Sequence, residues 1–442
     1  MDDRLKILLI TDEVWNDAVH PKNVLSNWFE GFNAEFAQIY CSSGIPGNKC
    51  CWKYFQLTDR MMLKSIFGGE KAGRTFETFN GIRGSDGDVP ENEENKKIVS
   101  LMKSIVSEPA RAVRDWIWLT GRYDEGKLKQ FISEFKPDVV FCPRYATRKM
   151  LRLERKIYEL SGKPMVAFTG DDEYSLKQLR FSLVYWIRRF LVRKDIRKTM
   201  PVYSKYYTLS SEQLQEYKNN FNIDAGILKK CADFNGVQIK KSVNSPIKII
   251  YAGKLYCQRW RTLVEINRAL KKINKDGTKM TLDIYTKDRI TARQKKMLDD
   301  NKNSFLMGAV PEEELRKVYQ NADIALHVEA LDLQNRLTTR LSFSTKIIDC
   351  LASGCAVMVI SWARHSGYAY LKKEDAAICI DNYEKIGTVL GSIIKNPEIL
   401  LEYAKKAWEC GKRNHQIDII QKNLYKDLTN LAGKNKNENI TD

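Results

Sequence analysis

Within the stretch 342–360, Ser344, Thr345, Lys346 and Asp349 are the residues whose types and spacing most directly suggest chemistry. Backbone N–H groups left free at a helix start attract anions, and Ser344 and Thr345 are of the type that caps such a start. Asp349 follows Thr345 by four residues, so on a helix it projects from the same face one turn further in. A carboxylate there can accept two hydrogen bonds from a vicinal diol while the helix end holds a phosphate. The ligand this implies is a nucleotide. The plainer alternative is a capped core helix whose Asp349 only complements the helix dipole. A second group, Lys254 and Arg259, follows an apolar run, 247–252, and Gly253. Glycine lets a chain turn sharply and approach a ligand, so these cations stand either at a site mouth or on an ordinary solvated surface.

Apolar runs at 323–328 and 356–360 have strand length. Between them Ile347, Ile348 and Leu351 give one apolar face and Gly354 gives a stop, so the spacing predicts a strand, helix, strand unit of a parallel sheet. Such sheets bind ligands at the carboxyl ends of their strands. The first half predicts strands at 6–10, 36–40, 137–143 and 164–168, a helix over 24–34, and a strand from 206 leading into a helix capped by Ser210 or Ser211. Further on, the pattern predicts a strand at 280–285, a helix at 312–321 and terminal helices over 397–428. Asp171 and Asp172 follow one strand, and Asp12, Glu13 and His20 follow the first. These groups read as helix caps or as acceptor-side residues, where a general base would be found. The polar segment 81–95 reads as a mobile insertion; its Asp86-Gly-Asp88 matches a metal motif that normally ends a strand, and no metal site is expected there.

The segment Ser344-Thr345-Lys346-Ile347-Ile348-Asp349-Cys350-Leu351-Ala352-Ser353-Gly354 resembles the Pro-Ser-Lys-x-x-Glu-x-x-Ala-x-Gly donor-site segment of the retaining sugar-nucleotide glycosyltransferases of GT-B type (group 1, family 4-like). Gly253, Lys254, Leu255 and Arg259 are similar to that family's Gly-Arg-Leu followed by a cation six residues after the glycine. The resemblance implies an α/β fold of GT-B architecture, two Rossmann-like parallel-sheet domains facing each other across a cleft. It implies an acceptor domain over 1–240, a donor-nucleotide domain over 246–410, a helix over 411–432 crossing back, and a disordered tail at 433–442. Gly253, Ser344, Thr345, Lys346 and Asp349 would hold the nucleotide, with Ala309 and Val310 in a loop that meets the base. Lys254 and Arg259 would neutralise the diphosphate. In two respects the chain departs from the family. Asp349 stands where glutamate is usual, and Leu341 stands where many relatives carry a second glutamate, for which Glu329, ahead of a connection carrying Arg336 and Arg340, is the candidate substitute.

The activity implied is transfer of a sugar, with retention, from a nucleotide-diphosphate donor to a glycan or lipid-linked acceptor in bacterial surface polysaccharide synthesis. It needs no metal and no cofactor beyond the nucleotide-sugar co-substrate. An epimerase or phosphorylase of the same architecture and a non-catalytic nucleotide-binding homologue remain as alternatives. A dinucleotide oxidoreductase is disfavoured because no Gly-x-Gly-x-x-Gly follows the first strand.

The composition fits this frame. The 442 residues exceed a single core, and 43% hydrophobic with 29% charged residues describes a globular chain. A formal charge of +18 suits nucleic acid, an anionic membrane face or an anionic substrate, and the absence of a zinc-finger or RNA-recognition signature argues against nucleic acid. Ten cysteines without a Cys-x-x-Cys pair suggest reduced thiols in the cytoplasm. No apolar run reaches the roughly 20 residues that cross a bilayer, and the first residues do not read as a signal peptide. Over 174–198, Leu176, Leu179, Leu183, Trp186, Ile187 and Phe190 fall near helical spacing, with Arg188, Arg189, Arg193, Lys194, Arg197 and Lys198 clustered towards the end. This is either a core helix with a basic outer face or an interfacial helix on anionic lipid, which would make the protein peripheral on the inner membrane face.

Overall fold

The computed structural model describes residues 4–19, 24–79, 82–87, 108–143 and 146–433. The chain divides into two compact units, the first comprising residues 1–176, 180–228 and 420–442, the second 177–179 and 229–419.

The first unit is built on strands β1 (Leu5–Thr11), β2 (Ala34–Tyr40), β3 (Cys51–Gln56), β4 (Arg74–Phe79), β5 (Ile82–Gly87), β6 (Val139–Pro143), β7 (Met165–Thr169), β8 (Tyr203–Thr208) and β9 (Ala225–Ile227). They form one sheet in the order β5-β4-β3-β2-β1-β6-β7-β8-β9. All neighbours are parallel except β3–β4 and β4–β5. The central strands β1, β6 and β7 are almost wholly buried, as near-continuous Val, Ile, Leu and Phe runs must be when helices cover both faces. Asp138 fixes the start of β1 by accepting from the Lys6 N–H at 2.8 Å. The helix Ile417–Leu431 contributes its C-terminal part to this unit. There Tyr425 packs on Phe32 with ring centroids 5.3 Å apart, and Asp427 accepts from the Tyr207 hydroxyl.

The second unit carries β10 (Ile247–Ala252), β11 (Met280–Tyr285), β12 (Ser304–Gly308), β13 (Ile324–Val328), β14 (Ala356–Ile360) and β15 (Ile378–Ile380). Its sheet runs β12-β11-β10-β13-β14-β15 and is parallel throughout. This is the doubly wound order in which the chain reverses direction between the first and fourth strands, here β10 and β13, and opens a crevice at their carboxyl ends. Residues 229–246 are tied to this unit. Ala232 bridges Gln416, Lys240 N–H donates to Gly354 at 2.9 Å, and Asn244 donates to Asp323 at 3.0 Å. The cysteines are all free thiols.

Several elements differ from the sequence expectation. The helix expected over 24–34 is only Val24–Phe29, because Gly31 takes a left-handed φ of 78° and Ala34 already starts β2. The amphipathic helix begins at Leu183 instead of Tyr174 and ends at Thr199. Within the polar segment 81–95, residues 82–87 form the edge strand β5, so a strand does lead to Asp86; Asp88 and residues 89–95 lie outside the described residues. The arginine-bearing connection after Glu329 contains a helix, Leu333–Thr339, capped by Asp332. The expected tail lies outside the described residues beyond Gly433. Among the described residues, no helix is long and apolar enough to cross a membrane.

Candidate functional site

The site is built where β10 and β13 part. Gly253 follows β10, and its N–H is held by the Tyr285 carbonyl at 2.8 Å. The chain then passes through Cys257 and Gln258, both non-glycine residues at left-handed φ of 53° and 59°, before the helix Arg259–Ile273 begins. Such positions cost roughly 1–3 kcal/mol each and persist only where the surroundings enforce them. Here the turn sends Arg259 inward. Its guanidinium lies 4.4 Å from the Tyr256 ring centroid and grips Glu329, just past β13, in a two-point contact with Nε 3.0 Å from Oε2 and a second nitrogen on Oε1.

Arg259 and Glu329 are both buried. Each holds the other charged: the guanidinium pushes the Glu329 carboxyl far below its ordinary range against the effect of burial, and the carboxylate raises Arg259. His327 Nε2 stands 3.4 Å from the same carboxylate. His365, which follows β14, is buried as well and accepts from Gly367 N–H through Nδ1 at 3.2 Å. Burial pushes His365 down to about 4, so both imidazoles near Glu329 are neutral at physiological pH.

Lys346 completes the cluster. Its ammonium is buried and has no hydrogen-bond partner among the described residues. It lies 5.7 Å from the Tyr251 ring centroid and directly against Gly253, where a Cβ would come within 1.7 Å of Nζ. Glycine at 253 is therefore what gives this cation room. Burial, reinforced by Arg259, pushes Lys346 down to about 8, and the nearby Asp349 and Glu329 carboxylates offset this only in part.

The other residues singled out from the sequence fall as follows. Thr345 caps the helix Lys346–Leu351 through its backbone, in helical conformation and without a hydroxyl bond, so the hydroxyl cap expected there is not made. The Ser344 carbonyl accepts from Ile347 N–H at 3.0 Å. Asp349 is half-exposed and holds Lys230 Nζ at 2.8 Å through Oδ1. Lys254 is exposed, and its carbonyl accepts the Tyr251 hydroxyl at 2.6 Å. Ala309 is exposed and Val310 half-buried just beyond β12.

In the first unit, Asp12 is paired with Lys149, Glu13 is exposed, and His20 lies outside the described residues. Asp172 is buried and accepts from Ser175 N–H at 2.9 Å and Arg189 at 3.2 Å, a local structural role. Asp171 is exposed, and its carbonyl accepts from Gln213 at 2.7 Å. The structure thus brings Gly253, Arg259, Glu329 and Lys346 together. It adds His327, His365, Tyr251 and Lys230, which carry no spacing signal of their own.

No family model and no curated protein sequence matches the chain. Solved structures do match it. Sucrose-phosphate synthase from Thermosynechococcus elongatus is 10% identical with a TM-score of 0.61, over 98% of this chain and 100% of that one. TarM is 11% identical with a TM-score of 0.61, over 97% and 98%. Anabaena HepE in complex with UDP and glucose is 10% identical with a TM-score of 0.58, over 97% and 100%. The chain therefore has the α/β fold with two parallel-sheet domains that GT-B glycosyltransferases share.

Proposed function

We propose that the protein is a glycosyltransferase that takes a sugar from a nucleoside diphosphate donor, with Lys346 meeting the diphosphate. The observation carrying this reading is a buried ammonium without a hydrogen-bond partner among the described residues, set under a glycine in the crevice of a doubly wound sheet. A diphosphate supplies the missing partner, and in a dry site each such contact is worth on the order of a few kcal/mol to the departing anion. Lys254, exposed one residue beyond Gly253, adds a second cation at the mouth. Arg259 is committed to Glu329, so in this reading the pair shapes the floor of the site, and Lys346 takes the role the sequence suggested for Arg259. Asp349, with Oδ1 on Lys230, retains Oδ2 for a ribose hydroxyl. The leaving phosphate takes the acceptor's proton, and no metal is required.

The neighbours include HepE bound to UDP and glucose, which supports a nucleotide-sugar donor. Retention, a glycan or lipid-linked acceptor in surface polysaccharide synthesis, and a peripheral position at a membrane face are the finer parts of the proposal, the last supported by the charge of +18. The test is calorimetric titration with UDP, GDP, ADP and dTDP. At least one should bind, and Asp349→Ala should weaken it roughly tenfold while leaving inorganic pyrophosphate unaffected. If none of the four binds, the reading fails. His327 and His365 beside Glu329 favour an epimerase as the second reading. NMR of the donor sugar without acceptor separates the two, since a new sugar isomer points to the epimerase.

A further inference from the structure

The helix Leu183–Thr199 wears its apolar face outward. Leu183, Val184, Ile187, Phe190 and Leu191 form one stripe at helical spacing, and all are exposed; Phe181, just before the helix, is 93% exposed. The buried face instead includes Asp195 and Thr199, beside Val192 and Ile196. Asp195 holds Arg148 at 2.8 Å, and Arg189 holds the Ser175 carbonyl at 2.7 Å, so polar contacts help anchor the helix. A surface helix ordinarily turns its apolar stripe to the core, and a contiguous exposed stripe marks a contact surface. A neighbouring helix, Glu108–Thr120, is joined to this one by Arg188 and Asp115 at 3.0 Å and exposes Val113 and Trp116 as well.

Charge decides what covers it. Arg180, Lys194, Arg197 and Lys198 border the stripe and are exposed, whereas the helix's one acid, Asp195, is buried. A twofold contact with a second copy would press this basic border against itself. An anionic bilayer complements it: the headgroups take the cations and the acyl boundary takes the apolar side chains.

We propose that residues 180–198 dock the protein on an anionic membrane face, with Phe181, Leu183, Ile187 and Phe190 entering the acyl boundary and Arg180, Lys194 and Lys198 on the headgroups. This surface belongs to the first unit and rests on the sugar-transfer reading only for what the membrane would present to the enzyme.

The test is sedimentation of the full chain with vesicles of phosphatidylcholine alone and with about one third phosphatidylglycerol, at low and high salt. Wild type should pellet with the anionic vesicles and be released in part by salt. Phe181→Ser, Ile187→Ser and Phe190→Ser combined should cut partitioning roughly tenfold or more, with an unchanged melting temperature because all three side chains are exposed. Lys194→Ser with Lys198→Ser should remove the preference for anionic vesicles. Equal partitioning of wild type onto both vesicle types, no partitioning, or a dimer in sedimentation velocity that the triple variant abolishes would each overturn the proposal. Nucleotide titration of the same samples separates the two readings. Binding of a nucleoside diphosphate without vesicle binding defeats only the docking surface; vesicle binding without nucleotide binding defeats only the sugar-transfer reading.

Discussion

The two sheets place a lysine at the same topological point and treat it in opposite ways. In the first unit Lys149 lies at the start of the helix after β6, the strand across the reversal from β1; in the second, Lys346 lies at the start of the last helix between β13 and β14. Each reaches back to the residue that follows the first strand of its sheet. In the first unit that residue is Asp12, and Lys149 forms an ion pair with it, 4.9 Å from the Trp118 ring centroid. In the second it is Gly253, and the Lys346 ammonium has no hydrogen-bond partner among the described residues. One helix start is electrostatically closed, while the other leaves a charge for an incoming anion to neutralise. The difference of one side chain, carboxylate against hydrogen, separates a corner whose lysine is paired from the corner where the proposed diphosphate site lies.

The strongest way to break this comparison is to make the second corner like the first. Gly253→Asp should place a carboxylate on Lys346, abolishing nucleoside diphosphate binding by about a hundredfold or more while raising the melting temperature. The added Cβ meets only the far end of the Lys346 side chain, which must shift to make room, and no backbone. Calorimetry and thermal melting on one sample check both signs. Retained nucleotide affinity would show that the anion site lies elsewhere.

Next in size is a contrast of stabilities. Lys149→Met strands the mostly buried Asp12 carboxylate and should cost about 3 kcal/mol, with nucleotide affinity unchanged. Lys346→Met removes a buried cation that no described residue pairs directly. It should stabilise the protein by roughly 1–3 kcal/mol and eliminate diphosphate binding. Urea unfolding of both variants measures this. The same sign in both would mean that Lys346 is directly paired after all.

How far the site is legible in the sequence follows from which contacts are local. The stop at Gly354 is readable because it is a local demand. Its φ is 79°, the left-handed conformation on which a helix commonly stops at glycine. The buried strands are readable because both faces of a parallel sheet must be apolar, which leaves a run in the sequence. The pairs Arg259–Glu329, Lys230–Asp349 and Lys149–Asp12 are 70, 119 and 137 residues apart, and no local pattern links such partners. That is why Arg259 reads from the sequence as a free cation although the structure shows it engaged. The periodicity of 183–199 establishes that the helix has two faces but not which one meets the core; only the contacts of Asp195 and Arg189 decide that.

The smallest expected effect is also the sharpest discriminator, because it depends on one titrating group. Burial pushes Lys346 down to about 8, and a bound diphosphate favours the charged form, so affinity should fall about tenfold per pH unit from 8 upward. Its charged neighbours do not titrate in that window: Glu329 is held low by Arg259, Arg259 is held high, and burial keeps the Cys350 thiol up at about 12. The two nearby histidines, both lowered by burial, are already neutral there. Lys346→Arg keeps the charge but not the titration, so any nucleotide affinity it retains should be flat across the same range. A wild-type affinity constant from pH 7 to 9.5 would mean that the ammonium beneath Gly253 does not meet the diphosphate. The open corner of the second sheet would then be no more a binding site than the closed corner of the first.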